Sequence, residues 1–349
     1  MEFIRVEDCC EILDSQRKPV TESERIPGMY PYYGANGMQG TINQYIFDDK
    51  LVLVAEDGGH FGSKTKPIAY LVNGKCWVNN HAHVLRAKKG FLVEYICYSL
   101  MFYKIEGYIN GATRQKLTQA ALRKLIIPKR SEEYQKAIVD RLDLVKCIIK
   151  NKQIIIKELD QLIKSRFVEL FGDVVLNTLN WPLVKLSDIA EYRIGLTYKP
   201  EAVSSSGIAV LRSGNIQNSQ LCYEDTIYVN SKVESKMLLK KHDILMCARN
   251  GSKSLVGKVA LIEDDVLNTT YGAFMMAISS KYYVYLFEYF RSQAFRRLIS
   301  VGSTTTINQV TTKMLNSVVI PLPDIDTVNR FALYHSQINK LKFVQIVYN

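Results

Sequence analysis

Between Ser131 and Phe171 the chain runs without proline or glycine, and its apolar residues recur in alternating steps of four and three. Ile138, Leu142, Val145, Ile149, Ile156, Leu159, Ile163 and Leu170 follow that rhythm, with only Lys152 and Arg166 interrupting it. The spacing predicts one helix carrying a coiled-coil seam, narrower than the apolar face of a globular helix. About forty helical residues would reach about 60 Å at roughly 1.5 Å each. Ser131 stands where an N-cap belongs, and Glu132 and Glu133 suit the first turn. After Asp324 a shorter seam follows through Phe331, Tyr334, Ile338 and Leu341.

Outside these stretches the pattern is mixed, and it repeats. Leu51 to Ala55 and Ile244 to Ala248 are short apolar runs that suit strands, and both end in turn residues. Residues 91–109 and 282–301 are rich in aromatic and aliphatic side chains at helical spacing. Gly111-Ala112-Thr113 closes the first and Gly302-Ser303-Thr304 the second, at an offset of 191. Leu117-Thr118 through Ile126-Ile127-Pro128 is echoed by Val310-Thr311 through Val319-Ile320-Pro321, at an offset of 193. Arg5-Val6-Glu7-Asp8 likewise matches Lys185-Leu186-Ser187-Asp188. These pairs keep one order, so the chain reads as two diverged copies of one unit. The expected fold is α+β. Two similar mixed α/β units, at 1–130 and 173–323, are joined by helices at 131–172 and 324–349. Paired antiparallel as a coiled coil, those helices would relate the units by a pseudo-twofold.

Composition then narrows the chemistry. The 349 residues are 47% hydrophobic and 23% charged, which excludes disordered, collagenous and disulfide-dense secreted chains. No apolar run is long enough to span a membrane, and the first residues do not resemble a signal peptide, so a cytoplasmic protein is expected. Seven scattered cysteines without a C-x-x-C spacing read as buried, reduced thiols. The net charge is +11, which favours a polyanionic partner such as nucleic acid. Residues 131–171 hold eight basic and seven acidic side chains, so the surplus belongs to the two units and not to the helix between them.

No catalytic motif survives inspection. Gly251 to Lys258 imitates a phosphate loop, but it has five residues between its glycines and Val259 where Ser or Thr is needed. Gly58-Gly59-His60-Phe61-Gly62 reads as a turn, and Pro323-Asp324-Ile325-Asp326 lacks the lysine a nuclease site would add. No Asn/Asp-Pro-Pro-aromatic run of the amino-methyltransferase kind is present. His81 and His83 could share a strand face, yet no third ligand follows at zinc-like spacing, so no metal is expected.

Taken together, the chain resembles the specificity subunit of type I restriction–modification enzymes, over essentially its whole length. The resemblance rests on Tyr30-Pro31-Tyr32-Tyr33-Gly34-Ala35-Asn36-Gly37, Val54-Ala55-Glu56-Asp57-Gly58 and Val78-Asn79-Asn80-His81-Ala82-His83. It continues through Gly111 to Thr118, Leu125 to Pro128, Leu159 to Leu162, Ser165-Arg166-Phe167, Phe171-Gly172-Asp173 and Trp181 to Leu186. The resemblance implies a non-catalytic, sequence-specific reader of double-stranded DNA. Each unit would be a target-recognition domain for one half of a split site, and the helices would set the gap. It also implies modification (methyltransferase) subunits docked on the helices, with restriction (endonuclease/translocase) subunits joining them. S-adenosylmethionine, ATP and Mg would then sit on those partners, and none on this chain. It favours a structural role for His81 and His83.

Contact residues follow from side-chain chemistry. Arg249-Asn250-Gly251-Ser252-Lys253 combines a guanine-type reader, an adenine-type reader and phosphate donors in one turn. Arg212 and Asn215 form a second candidate pair, and Lys64 and Lys66 follow the matching turn of the first unit. Arg114, Gln115, Lys116, Thr305 and Thr306 recur after the Gly-x-Thr of both copies, which favours backbone positioning or a subunit joint. The last helix is shorter than the first, and this departure predicts a helical pair that is incomplete or completed by another chain. Two other readings stay open: an intersubunit adaptor without its own readout, and a diverged DNA-modifying enzyme.

Overall fold

The computed structural model describes residues 2–111, 115–301 and 308–347. Its backbone divides into two compact units, Met1–Lys150 and Asn151–Asn349. No helix among the described residues is long and apolar enough to cross a membrane.

The first unit is built on a six-stranded sheet. Its order is Cys10–Ile12, Ala82–Ala87, Phe47–Ala55, Ala69–Val78, Tyr30–Gly34, Gly37–Ile42. Neighbouring strands are antiparallel except Tyr30–Gly34, which runs parallel to Ala69–Val78. Leu51 to Ala55 are all fully buried because the sheet is covered on both faces. Val52 and Val54 face Ile96 and Cys97 of the helix Val93–Met101, whereas Leu51 and Leu53 face Leu13 and Val84.

The second unit has two four-stranded sheets. One runs Glu191–Ile194, Met275–Ser279, Ile244–Cys247, Val259–Leu261. The other runs Val203–Ser204, Ile227–Val229, Ile208–Leu211, Thr269–Tyr271. The expected strand at 244–248 is present as Ile244–Cys247, buried throughout.

The duplication read from the chain is visible in how each unit closes. Phe3–Arg5 pairs antiparallel with Ile126–Pro128, and Leu183–Lys185 pairs the same way with Val319–Pro321. The Val6 amide donates to the Leu125 carbonyl at 2.8 Å, as Leu186 does to Val318 at 2.8 Å. Thr118 caps the helix Gln119–Lys124 by accepting from the Ala121 amide, and Thr311 caps Thr312–Asn316 by accepting from Met314. The Tyr95 hydroxyl donates to the Pro128 carbonyl at 2.7 Å, and Tyr285 to Pro321 at 2.6 Å. The chain is therefore mixed α/β, with two repeated domains and a long central helix.

That helix runs Glu132–Phe171. Ser131 accepts from the Tyr134 amide at its start, and Gly172 ends it at φ +71°, where an added Cβ would lie 2.4 Å from Thr178 Oγ1. The division between units falls inside the helix because its two halves pack on different cores. In the first unit Val139 is buried, and Gln135 is wholly buried, accepting from the Leu92 amide and donating to the Gly90 and Arg130 carbonyls. Beyond it Leu142, Val145 and Ile149 are exposed, at 38%, 51% and 45%. In the second unit the last helix, Ile325–Val347, lies antiparallel to the C-terminal half of the long one. Phe331 meets the rings of Phe167 and Phe171 at 5.7 and 5.3 Å, and Lys342 donates to Asp160 at 2.6 Å. Ile163 and Ile338 are buried with them, and Ile156 and Leu159 are half-buried. Leu341 is exposed, because the inward positions are Val328, Phe331, His335, Ile338 and Lys342.

None of the seven cysteines is disulfide-bonded among the described residues. Five are buried, Cys222 is half-buried, and Cys147 is exposed on the long helix, against the expectation of uniformly buried thiols.

Candidate nucleic-acid interface

In the second unit the strand Ile244–Cys247 delivers the turn that begins at Arg249. The Ala248 and Arg249 amides both donate to the Phe274 carbonyl, and the Val310 amide donates to the Ala248 carbonyl at 2.7 Å. Burial pushes the Cys247 thiol up, so it stays protonated and donates to the Arg249 carbonyl. A second loop follows the strand Ile208–Leu211 and carries Arg212. Gly272 links the two, since its amide donates to the Leu211 carbonyl at 2.9 Å. Gly195 permits this close packing, because a Cβ there would lie 2.2 Å from the Gly272 carbonyl oxygen.

Between these loops lies an open cleft of about 690 Å³ whose walls include Arg212, Arg249, Glu224, Asp225, Tyr198 and Phe274. Both arginines are exposed. Arg249 stacks its guanidinium over the Phe274 ring at 5.3 Å, and Arg212 donates to the Asp225 carbonyl at 3.2 Å. The Asn250 amide donates to Ser213 Oγ at 3.1 Å and accepts from the Ser252 amide at 2.9 Å, so it ties the two arginine loops together.

Asn215 is placed differently from the sequence expectation. It is 2% exposed, accepts from the Arg212 amide, and donates to the Cys222 and Glu224 carbonyls and to Thr226 Oγ1. Its amide is consumed inside the loop, so it shapes the cleft and cannot read a base edge. Ser252 pairs with Ser254, and Lys253 faces a separate cavity of about 500 Å³ beside Arg296. The cleft also gathers Phe274, Glu224 and Asp225, which sequence reasoning missed. An exposed aromatic in the turn Gly272-Ala273-Phe274, between two buried strands, was the available signal.

The matching turn of the first unit is built otherwise. Glu56 accepts from Arg17 at 2.7 Å and from Lys116 at 3.0 Å, and Asp57 pairs with His81 at 2.5 Å. Lys116 therefore braces this turn from within the unit. His83 is fully buried, with Nε2 donating to the Leu117 carbonyl and Nδ1 sharing a hydrogen bond with Asp14. Burial pushes the Asp14 and Glu56 carboxyls up. The hydrogen bonds and charge of His83, the Val84 amide and Gln119 outweigh it for Asp14, and Arg17, Lys116 and His83 do so for Glu56. Both carboxyls consequently lie below their ordinary values. Asp14, Glu56 and His83 bring three ligand-type atoms within 4.8 Å, but their lone pairs and protons are engaged by this network, which makes it a polar core. Lys64 and Lys66 are exposed on the loop beyond, where the Lys66 amide donates to Ser63 Oγ. Gln115 is exposed, while Arg114, Thr305 and Thr306 lie outside the described residues.

Comparison with known proteins agrees with this duplicated frame. The family model described as type I restriction modification DNA specificity domain matches residues 1–161 and 179–342. A Haemophilus influenzae chain assigned as a type I restriction enzyme specificity subunit is 28% identical over 254 residues, 71% of this chain and 65% of that one. The chain thus spans 65% of that relative's length. The MjaVIII specificity subunit of Methanocaldococcus jannaschii is 21% identical over 93% of this chain and 83% of its own length. In fold, the chain is similar to the crystal structure of a type I restriction-modification S subunit from M. genitalium, with a TM-score of 0.59 and 15% identity, covering 99% of this chain and 93% of that one.

Proposed function

Because this chain belongs to the type I restriction–modification DNA specificity family, we propose that it reads a split site in duplex DNA, one half with each unit. Duplex DNA has approximate twofold symmetry, and paired readers match it with a spacing that the connecting element fixes. The observation that carries the reading is the repeated frame: the same closing ribbon, capped helix and tyrosine hydrogen bond occur in both units. The basic surplus lies outside the long helix, where readers need it. The arginine-lined cleft of the second unit supplies donors for base edges.

The chain itself acts without catalysis in this reading. Methyl transfer and cleavage belong to modification and restriction subunits, which would carry S-adenosylmethionine, ATP and Mg. The exposed stripe Leu142, Val145 and Ile149 supports helix-mediated docking of such a partner. Selection of binders from a random duplex library, with the chain alone and with its modification subunit, tests the proposal. Enrichment of two defined half-sites at a fixed gap is expected. An adaptor would enrich no sequence, and methyl transfer to DNA by this chain alone would restore the enzyme reading.

A further inference from the structure

The cleft of the second unit carries both signs of charge, and this constrains what it can face. A phosphate offers acceptors only, so a phosphate-tracking groove has no use for carboxylates on its wall. Here Glu224 and Asp225 are exposed on the same cleft as Arg212 and Arg249. Their main chain is also held there: Asn215 donates to the Glu224 backbone carbonyl, and Arg212 to that of Asp225. The Asn250–Ser213 hydrogen bond fixes the second arginine loop against the first. The backbone that carries these donor and acceptor side chains is thus fixed before any ligand arrives.

In the major groove, guanine presents two adjacent acceptors, N7 and O6, which a guanidinium fork matches. Its partner cytosine presents the N4 donor, which a carboxylate accepts. An A·T pair separates its acceptors, adenine N7 and thymine O4, by the adenine N6 donor, so it offers no adjacent pair of acceptors for a guanidinium fork. We infer that the cleft of the second unit reads a G·C pair, with Arg249 or Arg212 on the guanine edge and Glu224 or Asp225 on cytosine N4. This rests on the reading of the chain as a DNA-specificity subunit. The first unit cannot use its matching turn this way. Glu56 there is bound by Arg17 and Lys116, and Asp57 by His81, so its half-site has to be read from other side chains, with Lys64 and Lys66 at hand.

The test is competition binding by the full chain to its selected duplex, with each guanine of the half-sites replaced in turn. Substitution by 7-deazaguanine removes N7, whereas inosine keeps N7 and O6. At one position 7-deazaguanine should weaken binding by about 5- to 150-fold while inosine is tolerated. Arg249→Ala or Arg212→Ala should abolish that difference, and Glu224→Gln or Asp225→Asn should relax the choice of cytosine opposite. Arg249→Lys keeps the charge without the fork and should weaken the guanine preference less than alanine does. The inference is overturned if 7-deazaguanine is tolerated everywhere, or if the half-site altered by the arginine variants lacks a G·C pair. It is also overturned if those variants weaken all sequences alike with a shallower salt dependence, the mark of a phosphate contact. Enrichment of no sequence by the unaltered chain would remove the reader assignment itself, and the two failures are therefore distinguishable.

Discussion

Asn215 holds four groups with one buried amide, so its loss strands a backbone donor and two carbonyls at once. Asn215→Ala should destabilise the second unit by about 1–3 kcal/mol in chemical denaturation, and it should blunt sequence discrimination without removing an arginine. Unchanged stability would mean that water replaces the amide. Asp14 and Glu56 have carboxyl pKa values lowered on folding, so each contributes stability that is present above its unfolded pKa and lost as pH falls through the folded one. The first unit should therefore lose stability progressively below about pH 4, and Asp14→Asn should flatten that dependence in pH-resolved unfolding. At this scale the sequence was only partly informative. Side-chain chemistry singles out Arg212 and Arg249 as candidates, and the fold brings both, exposed, to one cleft. Asn215 could not be told from a reader, because whether an amide faces solvent or its own loop depends on where Cys222, Glu224 and Thr226 return to it.

Among elements, the helices and short buried strands were the most legible, since caps, stop signals and apolar runs are local. The seam of the last helix was displaced because counting apolar residues selects Leu341, whereas the inward position is Lys342. Its stem is buried and its ammonium reaches Asp160 and Asn339. Removing one partner of such a pair leaves the other uncompensated, while replacing a buried lysine by an isostere of its stem can be neutral. Asp160→Ala should thus lower hydrogen-exchange protection across 331–345, by about 1 kcal/mol given that Asp160 is 39% exposed. Lys342→Met should leave protection nearly unchanged. Equal losses from both would show that the ion pair itself holds the helix. The long helix was legible along its whole length, but its burial was not: Leu142, Val145 and Ile149 share the heptad pattern of Ile163 without sharing its cover.

For the whole molecule the repeat was legible because its punctuation survived divergence, namely the Thr caps, the closing prolines and the apolar ribbon strands. What diverged is the surface each unit presents, an arginine cleft in one and an ion-paired turn in the other. On the proposed reading, different surfaces on one frame mean an asymmetric site whose halves are specified separately and whose gap is specified by the helix between. Seven residues inserted within the exposed stretch 142–149 would lengthen the helix by about 10.5 Å and turn it by only about 20°. Duplex selection with that variant measures the gap directly. Both half-sites should be retained and the preferred gap should change. An unchanged gap with both half-sites intact would contradict the account.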